Sequence, residues 1–232
     1  MGIYREMGPE EYRDLEARIL YEDNHLLVFN KRTGEIVQGD KTGDEPLSET
    51  LKAFIARRDA KPGQVFLGVP HRLDRPVSGV TLFAKTSKAL ERLNEMLRQG
   101  QIHKTYWALT GERPPKEEDL LTDFLSRNKS QNKSYVTPRG KEARLKYKLI
   151  QTTERYFLLE VELYTGRHHQ IRCQLAHMGC PIKGDLKYGA KRSNPDGGIS
   201  LLARHIRFIH PVKKTEVDVT APVPDSWKGI QG

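Results

Sequence analysis

The sequence predicts an α+β fold with a mixed, mostly antiparallel central sheet flanked by helices and loops. Two observations support this class: the predicted strands outnumber the predicted helices, and the two types follow one another without a regular strand–helix alternation. The chain has 232 residues, enough for one large domain or two small ones, and 37% of them are hydrophobic. We find no internal repeat and no low-complexity linker. We therefore expect a polar N-terminal arm over residues 1–16 and one folded domain over residues 17–232.

Strands and helices of the first half follow from their residue patterns. Five stretches have the apolar content or the alternation of strands, namely 18–22, 25–31, 65–69, 80–85 and 102–109. Pro46 is suited to the first position of a helix, after which Leu47, Leu51, Phe54 and Ile55 fall on one face. Ser87 is predicted to cap a second helix, which ends at Gly100.

In the second half a long polar stretch separates two groups of predicted strands. Residues 114–138 are polar, and 127–135 are basic and rich in amides, which fits either a mobile loop closing over a phosphate backbone or a solvated hairpin. Strands are predicted at 143–151, 156–163, 199–209 and 215–220, with a helix that runs to Met178. One face of the 143–151 strand carries a basic strip, suited to phosphates or simply to water: Arg144, Lys146 and Lys148.

Composition points to a polyanionic partner. The chain carries 39 Lys and Arg against 30 Asp and Glu, for a formal charge of +9. Nucleic acid is the commonest partner of such a basic protein, although basicity can also serve solubility alone. With two cysteines, no apolar N-terminal signal region and no stretch of about 18 apolar residues, the chain is expected in a reducing cytoplasm without a membrane span.

One short stretch, residues 71–79, reads HRLDRPVSG and concentrates charge beside a turn. Its carboxylate, Asp74, lies between Arg72 and Arg75, and nearby guanidinium groups favour the ionised form of a carboxylate. Because the stretch follows the predicted strand 65–69, it would present Asp74 on a loop. A catalytic carboxylate and a surface salt-bridge cluster are both consistent with the residues alone.

The spacing of residues along the chain also bears on three other kinds of site: a phosphate loop, a nucleophile elbow and a zinc site. Neither a glycine-rich phosphate loop nor a nucleophile elbow of the Gly-x-Ser-x-Gly type occurs in the sequence. His169, Cys173 and His177 recur every four residues, so one helix face could offer three zinc ligands. The usual His-Glu-x-x-His and Cys-x-x-Cys patterns are missing from the sequence, however, and the same helix must also face the core.

Three separated motifs together resemble the RluA-type RNA pseudouridine synthases. They are HRLDRPVSG at 71–79, KTYWA at 104–108 and GRHHQIR at 166–172. Flanking segments agree, so that the resemblance extends over roughly residues 17 to 222. It implies the fold of the pseudouridine synthase catalytic domain and the isomerisation of uridine to pseudouridine in structured RNA, without a cofactor or metal.

The resemblance also implies roles for individual residues. Asp74 would be the catalytic carboxylate, attacking C1′ of the ribose or C6 of the base or assisting glycal formation, with Arg167 paired to it across the site. Arg72 would enter the RNA where the uridine is flipped out. Tyr106 would lie against the uracil ring and could relay the proton from C5.

Further binding residues are implied less directly. Ile171 and Leu202 are expected to line the apolar side of the uracil pocket. Three cations are candidates for phosphate contacts and equally for solvated charges: Lys104, Arg172 and Lys183. Ribosomal RNA and transfer RNA are both read by members of this family, and the sequence does not choose between them. A monomer is expected, as is usual for single-domain relatives.

The chain departs from the family pattern at a few positions. His168 stands where Thr is usual, Cys173-Gln174 where Val-His is usual, and Val77 where Thr is common. None of these is Asp74, Arg167 or Tyr106, so activity is expected. Many relatives carry an N-terminal RNA-binding domain of the S4 type, for which residues 1–16 are too few, so we expect the catalytic domain to select its substrate.

Overall fold

The computed structural model describes residues 4–39 and 42–230. Within these residues the helices are α1 Pro9–Ala17, α2 Leu47–Arg58, α3 Ser87–Arg98 and α4 Gln170–His177. The strands are β1 Ile19–Glu22, β2 Leu26–Lys31, β3 Ser78–Ala84, β4 His103–Thr110, β5 Glu118–Asn128, β6 Lys133–Val136, β7 Lys141–Thr152, β8 Phe157–Leu163, β9 Leu201–Ile209 and β10 Glu216–Thr220. No helix in these two ranges is long and apolar enough to cross a membrane.

The strands form one mixed sheet, which confirms the predicted α+β class. Its order is β1-β2-β3-β9-β4-β8-β7-β5-β6, with β10 paired to β9. The β3–β9 pair is parallel, and the other pairs formed by the described strands are antiparallel. One face of the sheet packs against α1, α2 and α4, and the other packs against α3.

Two local predictions are corrected, and one open alternative is decided. The stretch 65–69 is not a strand, because it makes only an isolated bridge between Gly68 and Ala84. Helix α3 is capped by Thr86 rather than Ser87, since the Thr86 side chain accepts from the Ala89 N–H at 3.1 Å. Of the two alternatives left open for 127–135, the hairpin is confirmed, since β5 and β6 pair there.

The predicted N-terminal arm contains α1 and contributes to the main core. Leu15 on this helix is 2% exposed, and Met7 just before it is also buried in the same cluster as α2. Residues 1–3 of the arm lie outside the described residues. The arm and the remaining chain therefore share one core, at least from Met7 onward.

The stretch 71–79 ends at the start of β3, which lies between β2 and β9 in the sheet. Gly79 pairs with Lys31 of β2 on one side and with Ala203 of β9 on the other. Its φ is +111°, and an added Cβ would overlap the Ala203 carbonyl, so only glycine fits. The parallel pairing of β3 with β9 therefore fixes the end of the Asp74 loop between two strands of the sheet.

Candidate active site

Asp74 lies in the wall of a large cavity. The cavity has a volume of about 1480 Å³ and is lined by the 70–77 loop, by β4 and by the turn that precedes α4. The Asp74 side chain is 30% exposed, so its carboxylate is open to the cavity while one edge contacts protein.

A buried lysine fixes the Asp74 loop from beneath. The Lys31 ammonium has no exposed surface and shares its three protons among four backbone carbonyls, those of Arg32 (3.0 Å), Asp74 (3.3 Å), Arg75 (3.1 Å) and Val77 (2.6 Å). Burial lowers the pKa of Lys31 to about 8, which leaves most of the ammonium charged at neutral pH. These bonds hold the backbone that carries Asp74 in place.

The Asp74 carboxylate is held by Arg172. Arg172 donates from Nε and Nη2 to the two oxygens of Asp185, at 2.7 and 2.9 Å, and from Nη1 to Asp74 Oδ2 at 3.1 Å. The side chains of Arg172 and Asp185 are 6% and 1% exposed. Bidentate geometry of this kind fixes a guanidinium firmly, so Asp185 sets the position from which Arg172 reaches Asp74.

The predicted pairing of Arg167 with Asp74 is wrong, as is the prediction of a phosphate contact for Arg172. Arg167 is exposed at the cavity rim, where its Nε donates to the Glu142 carbonyl at 2.8 Å. It precedes the left-handed turn at His169, whereas Arg172 lies on the first turn of α4 and faces inward. Burial distinguishes the two arginines: Arg172 lies in the buried first turn of α4, whereas Arg167 precedes the helix and is exposed.

Arg75 is also not a partner of Asp74. Its guanidinium bonds to Asp44 and to the Thr42 hydroxyl instead. The neighbour on the other side, Arg72, lines the cavity and is exposed, with no hydrogen bond or ion pair to any residue in 4–39 or 42–230. Arg72 is therefore available to a ligand.

His169 contacts the same oxygen of Asp74. Its Nε2 lies 3.4 Å from Asp74 Oδ2, and its Nδ1 lies 3.0 Å from the Tyr188 hydroxyl. Burial, with a smaller contribution from Arg172, lowers the pKa of His169 to about 2, so its ring is neutral. The sequence assigned no role in catalysis to His169, Tyr188 or Asp185.

The three residues of the zinc alternative point to different partners. His169 contacts Asp74, Cys173 Sγ donates to the Ser134 carbonyl at 3.3 Å, and His177 is exposed. Burial raises the pKa of Cys173 to about 11, which keeps it a thiol. Across the described residues, no group of three or more His, Cys, Asp or Glu side chains is arranged to hold a metal ion.

Tyr106 lies in the cavity wall with Asp74, as the sequence predicts, and is 7% exposed. Burial first, and the Asp74 carboxylate second, raise the pKa of Tyr106 well above its ordinary value. The side chain is therefore a neutral phenol at physiological pH. Its ring can contact a base, whereas a role as a phenolate base is disfavoured.

The apolar wall includes Ile171, as predicted, but not Leu202. Ile171 and Leu201 line the cavity, while Leu202 is buried on the opposite face of the sheet with α3. Side chains alternate along a strand, so a shift of one residue moves a side chain to the other face. The prediction of Leu202 was wrong for this reason.

The remaining predicted cations separate into two groups. Lys104 lines the cavity, and burial lowers its pKa. Lys183 is not in the cavity wall; its ammonium donates to Asn194 Oδ1 at 3.1 Å. The basic strip on β7 faces away from the core that holds Tyr106, because Leu145 and Tyr147 between its members are buried in that core.

The sequence assigned no role to His71, whose side chain binds the backbone of β3. Its Nε2 accepts from the Leu82 N–H at 3.1 Å, on the edge of β3 beyond the β9 junction. Burial, and then the nearby Lys104, lower the pKa of His71 to about 3. A neutral ring is required, since only an unprotonated Nε2 can accept this bond.

Comparison with known proteins agrees with the motifs. The model of the RNA pseudouridylate synthase family matches residues 25–177. The chain is 33% identical over 226 residues to the ribosomal large subunit pseudouridine synthase D of Xylella fastidiosa, covering 92% of this chain and 68% of that protein. It is 32% identical to the ribosomal large subunit pseudouridine synthase C of Vibrio cholerae, covering 90% of this chain and 67% of that one.

A solved structure shares the fold. The structure of human RNA pseudouridylate synthase domain containing 4 superimposes with a TM-score of 0.76 at 23% identity, covering 92% of this chain and 91% of the human one. These likenesses define the class of the protein, an isomerase that forms pseudouridine in RNA. The chain belongs to the RNA pseudouridylate synthase family, in its RluA-type branch, as the motifs predicted.

Proposed function

We propose that the protein isomerises uridine in RNA without a cofactor, with Asp74 as the nucleophile. The observation that carries this proposal is the one-sided coordination of the carboxylate. Arg172 and His169 both contact Oδ2, whereas no described residue donates a hydrogen bond to Oδ1. A carboxylate with one oxygen anchored and the other open to a cavity is suited to nucleophilic attack.

The reaction is an isomerisation, so every atom of uridine is retained. The bond from C1′ to N1 breaks, the base turns, a bond from C1′ to C5 forms, and the hydrogen on C5 leaves as a proton while N1 gains one. Asp74 would act by attack on C1′ or C6 or by assisting glycal formation. Ile171 and Leu201 would contact the apolar part of the base, and the Tyr106 ring would lie against it.

We propose that the target uridine is flipped out of its RNA into the cavity. Arg72 supports this, because it is exposed at the rim close in sequence to Asp74 and has no partner among the described residues. Flipping a nucleotide costs a few kcal/mol. A guanidinium that stacks and donates hydrogen bonds in the vacated space would offset part of that cost.

RNA around the uridine would meet positive charge. Six cations are among the residues that line the cavity: Arg98, Lys104, Arg127, Arg167, Lys187 and Arg207. The formal charge of +9 favours the approach of RNA in general. Because two relatives are named for the ribosomal large subunit, we propose large-subunit ribosomal RNA as the first substrate to test, in the cytoplasm, with transfer RNA as the second.

The decisive test is Asp74→Asn, assayed by mapping pseudouridine in ribosomal and transfer RNA from cells with and without each variant. The carboxamide keeps an oxygen for Arg172 but is a poor nucleophile. We expect no conversion, with RNA binding retained. Asp225→Asn, an exposed change far along the chain, serves as the matched control and should convert RNA normally. Conversion by Asp74→Asn at the wild-type rate would refute the proposal.

A further inference from the structure

We infer that His169 is a positioning residue that holds its Nε2–H against Asp74 Oδ2, 3.4 Å away, and so leaves Oδ1 as the attacking atom. This inference deepens the proposed function and rests on Asp74 being the nucleophile. Three independent observations support it: the backbone conformation of His169, the hydrogen-bond chain through Tyr188, and the packing of the ring.

The backbone of His169 is in an unusual conformation for a residue that is not glycine. Its φ and ψ are 52° and 27°, in the left-handed region, at the position that precedes α4. A residue there normally caps the helix with its side chain, and Ser, Thr, Asp and Asn are preferred. The His169 side chain makes no capping bond. Such conformations cost free energy and cluster at functional sites, and here the turn directs the ring toward Asp74.

The tautomer of His169 follows from its neighbours. The Ser134 N–H donates to the Tyr188 oxygen at 2.8 Å, which uses one acceptor site of that hydroxyl. The hydroxyl proton has no other acceptor among the described residues than His169 Nδ1, at 3.0 Å. Nδ1 therefore accepts, and the ring proton is on Nε2, facing Asp74 Oδ2 at 3.4 Å.

Packing fixes the plane of the His169 ring. His168 stacks on it with ring centroids 3.8 Å apart and an interplanar angle of 19°. His168 is itself tied to the β5–β6 hairpin, because the Ser134 hydroxyl contacts its Nδ1 at 2.9 Å and donates to its carbonyl at 2.7 Å. The hairpin, both histidines and Tyr188 thus form one chain of contacts that ends at Asp74.

The proposed role predicts different effects on stability and on catalysis for His169→Asn. Asparagine is favoured both in the left-handed region and as a helix cap, which offsets part of the stability lost with the Tyr188 hydrogen bond and the His168 stacking. The variant should therefore remain folded at the assay temperature. Its shorter side chain does not reach Asp74. Misplacement of a reacting group by about 1 Å can cost on the order of 10²-fold, so we expect kcat to fall on that order while KM for RNA changes little.

Two further variants separate positioning from a general structural role. His169→Gln extends an amide toward Asp74 and should recover part of the activity missing in His169→Asn. His177→Asn makes the same change at the exposed end of α4 and should leave kcat unchanged. A His169→Asn variant with the kcat of wild type would overturn the inference, as would a Gln variant no better than the Asn variant.

Nitrogen-15 NMR of the histidine rings tests the tautomer directly, without reference to activity. In wild type at neutral pH, His169 should be neutral with its proton on Nε2, and Tyr188→Phe should yield a mixture of tautomers. A proton on Nδ1 in wild type would overturn the inference. If Asp74→Asn proved active, the proposed function would fail; if Asp74→Asn were inactive and His169→Asn fully active, only the positioning role of His169 would fail.

Discussion

Two sets of cations surround the Asp74 cavity, and they differ in burial and in partners. On the inner side, Lys31 beneath the Asp74 loop and Arg172 in the cavity wall are buried, and they bind backbone carbonyls and two carboxylates respectively. On the rim, Arg72 and Arg167 are exposed, the first without a partner in the described structure and the second bonded to a single carbonyl. The comparison separates residues that shape the nucleophile from residues that remain available to RNA.

The physical reason is desolvation. A buried charge is costly unless it is paired and hydrogen-bonded, so the inner cations are committed to protein acceptors and cannot also serve phosphates. An exposed guanidinium keeps its hydration until RNA arrives and exchanges it for phosphate oxygens at small cost. Position along the motif is a poor guide to these roles, since Arg167 and Arg172 belong to the same short segment.

The largest effect is expected from Asp185→Ala, which removes the carboxylate that fixes Arg172. Replacing Asp185 by Ala leaves the Arg172 guanidinium buried with Asp74 as its remaining carboxylate partner. Removing one member of a buried ion pair typically destabilises a protein by about 3–5 kcal/mol. We expect a loss of that order in the free energy of unfolding, measured by urea denaturation, together with a reduced kcat because Asp74 loses its fixed anchor.

The control for this prediction is an exposed pair. Glu49, 48% exposed, bonds to Lys52 on α2 at 2.8 Å. Surface ion pairs contribute about 0–1 kcal/mol, so Glu49→Gln should change the free energy of unfolding far less than Asp185→Ala. Equal effects of the two substitutions would mean that the inner pair has no special structural importance.

A smaller and different effect is expected at the rim. Arg72→Ala and Arg167→Ala should leave the melting temperature close to that of wild type and weaken RNA binding. For each phosphate of a single strand that the variant no longer neutralises, the slope of log K against log salt should decrease in magnitude by about 0.7. Titration of RNA at several salt concentrations measures this slope. An unchanged slope for Arg167→Ala would remove Arg167 from the RNA surface and leave it as a support for β7.

Much of the fold was predictable because local patterns decide it. The alternation in β3, β4 and β7 and the apolar stripe of α2 led to the correct elements. The hairpin β5–β6 was ambiguous, because its residues are polar and its pairing with β7 is a tertiary contact that no local pattern encodes. The strand expected at 65–69 failed for the same reason, since it has no neighbour to pair with beyond the Gly68 bridge.

For the site, the motifs located the residues but not their contacts. Asp74, Tyr106 and Arg72 line the predicted cavity, whereas the partner of Asp74 and the face of Leu202 were wrong. In both cases the correct residue is a near neighbour in sequence: Arg172 instead of Arg167, and Leu201 instead of Leu202. Asp185, which determines where Arg172 points, carried no signal of its own because its importance depends on a contact made across the fold.

At neutral pH the smallest effect is expected at His71, and only acid reveals whether the sheet beneath the site depends on a neutral histidine. Burial lowers the pKa of His71 from its ordinary value of 6.5 to about 3 in the folded protein. Between these values the unfolded chain binds more protons than the folded one, so stability falls as pH decreases from 6.5 toward 3. One such group contributes a slope of up to about 1.4 kcal/mol per pH unit.

His168 and His169 have lowered pKa values as well, of about 4 and about 2, and add to the same slope. The contribution of His71 is therefore measured as a difference: urea denaturation of wild type and of His71→Gln at several pH values between 4 and 7. The variant has no titrating group at this position, and its stability should fall less steeply with acid. His177→Gln, at an exposed position, should keep the wild-type slope. If His71→Gln keeps it too, the ring is protonated in the folded state and the bond from the Leu82 N–H is not formed.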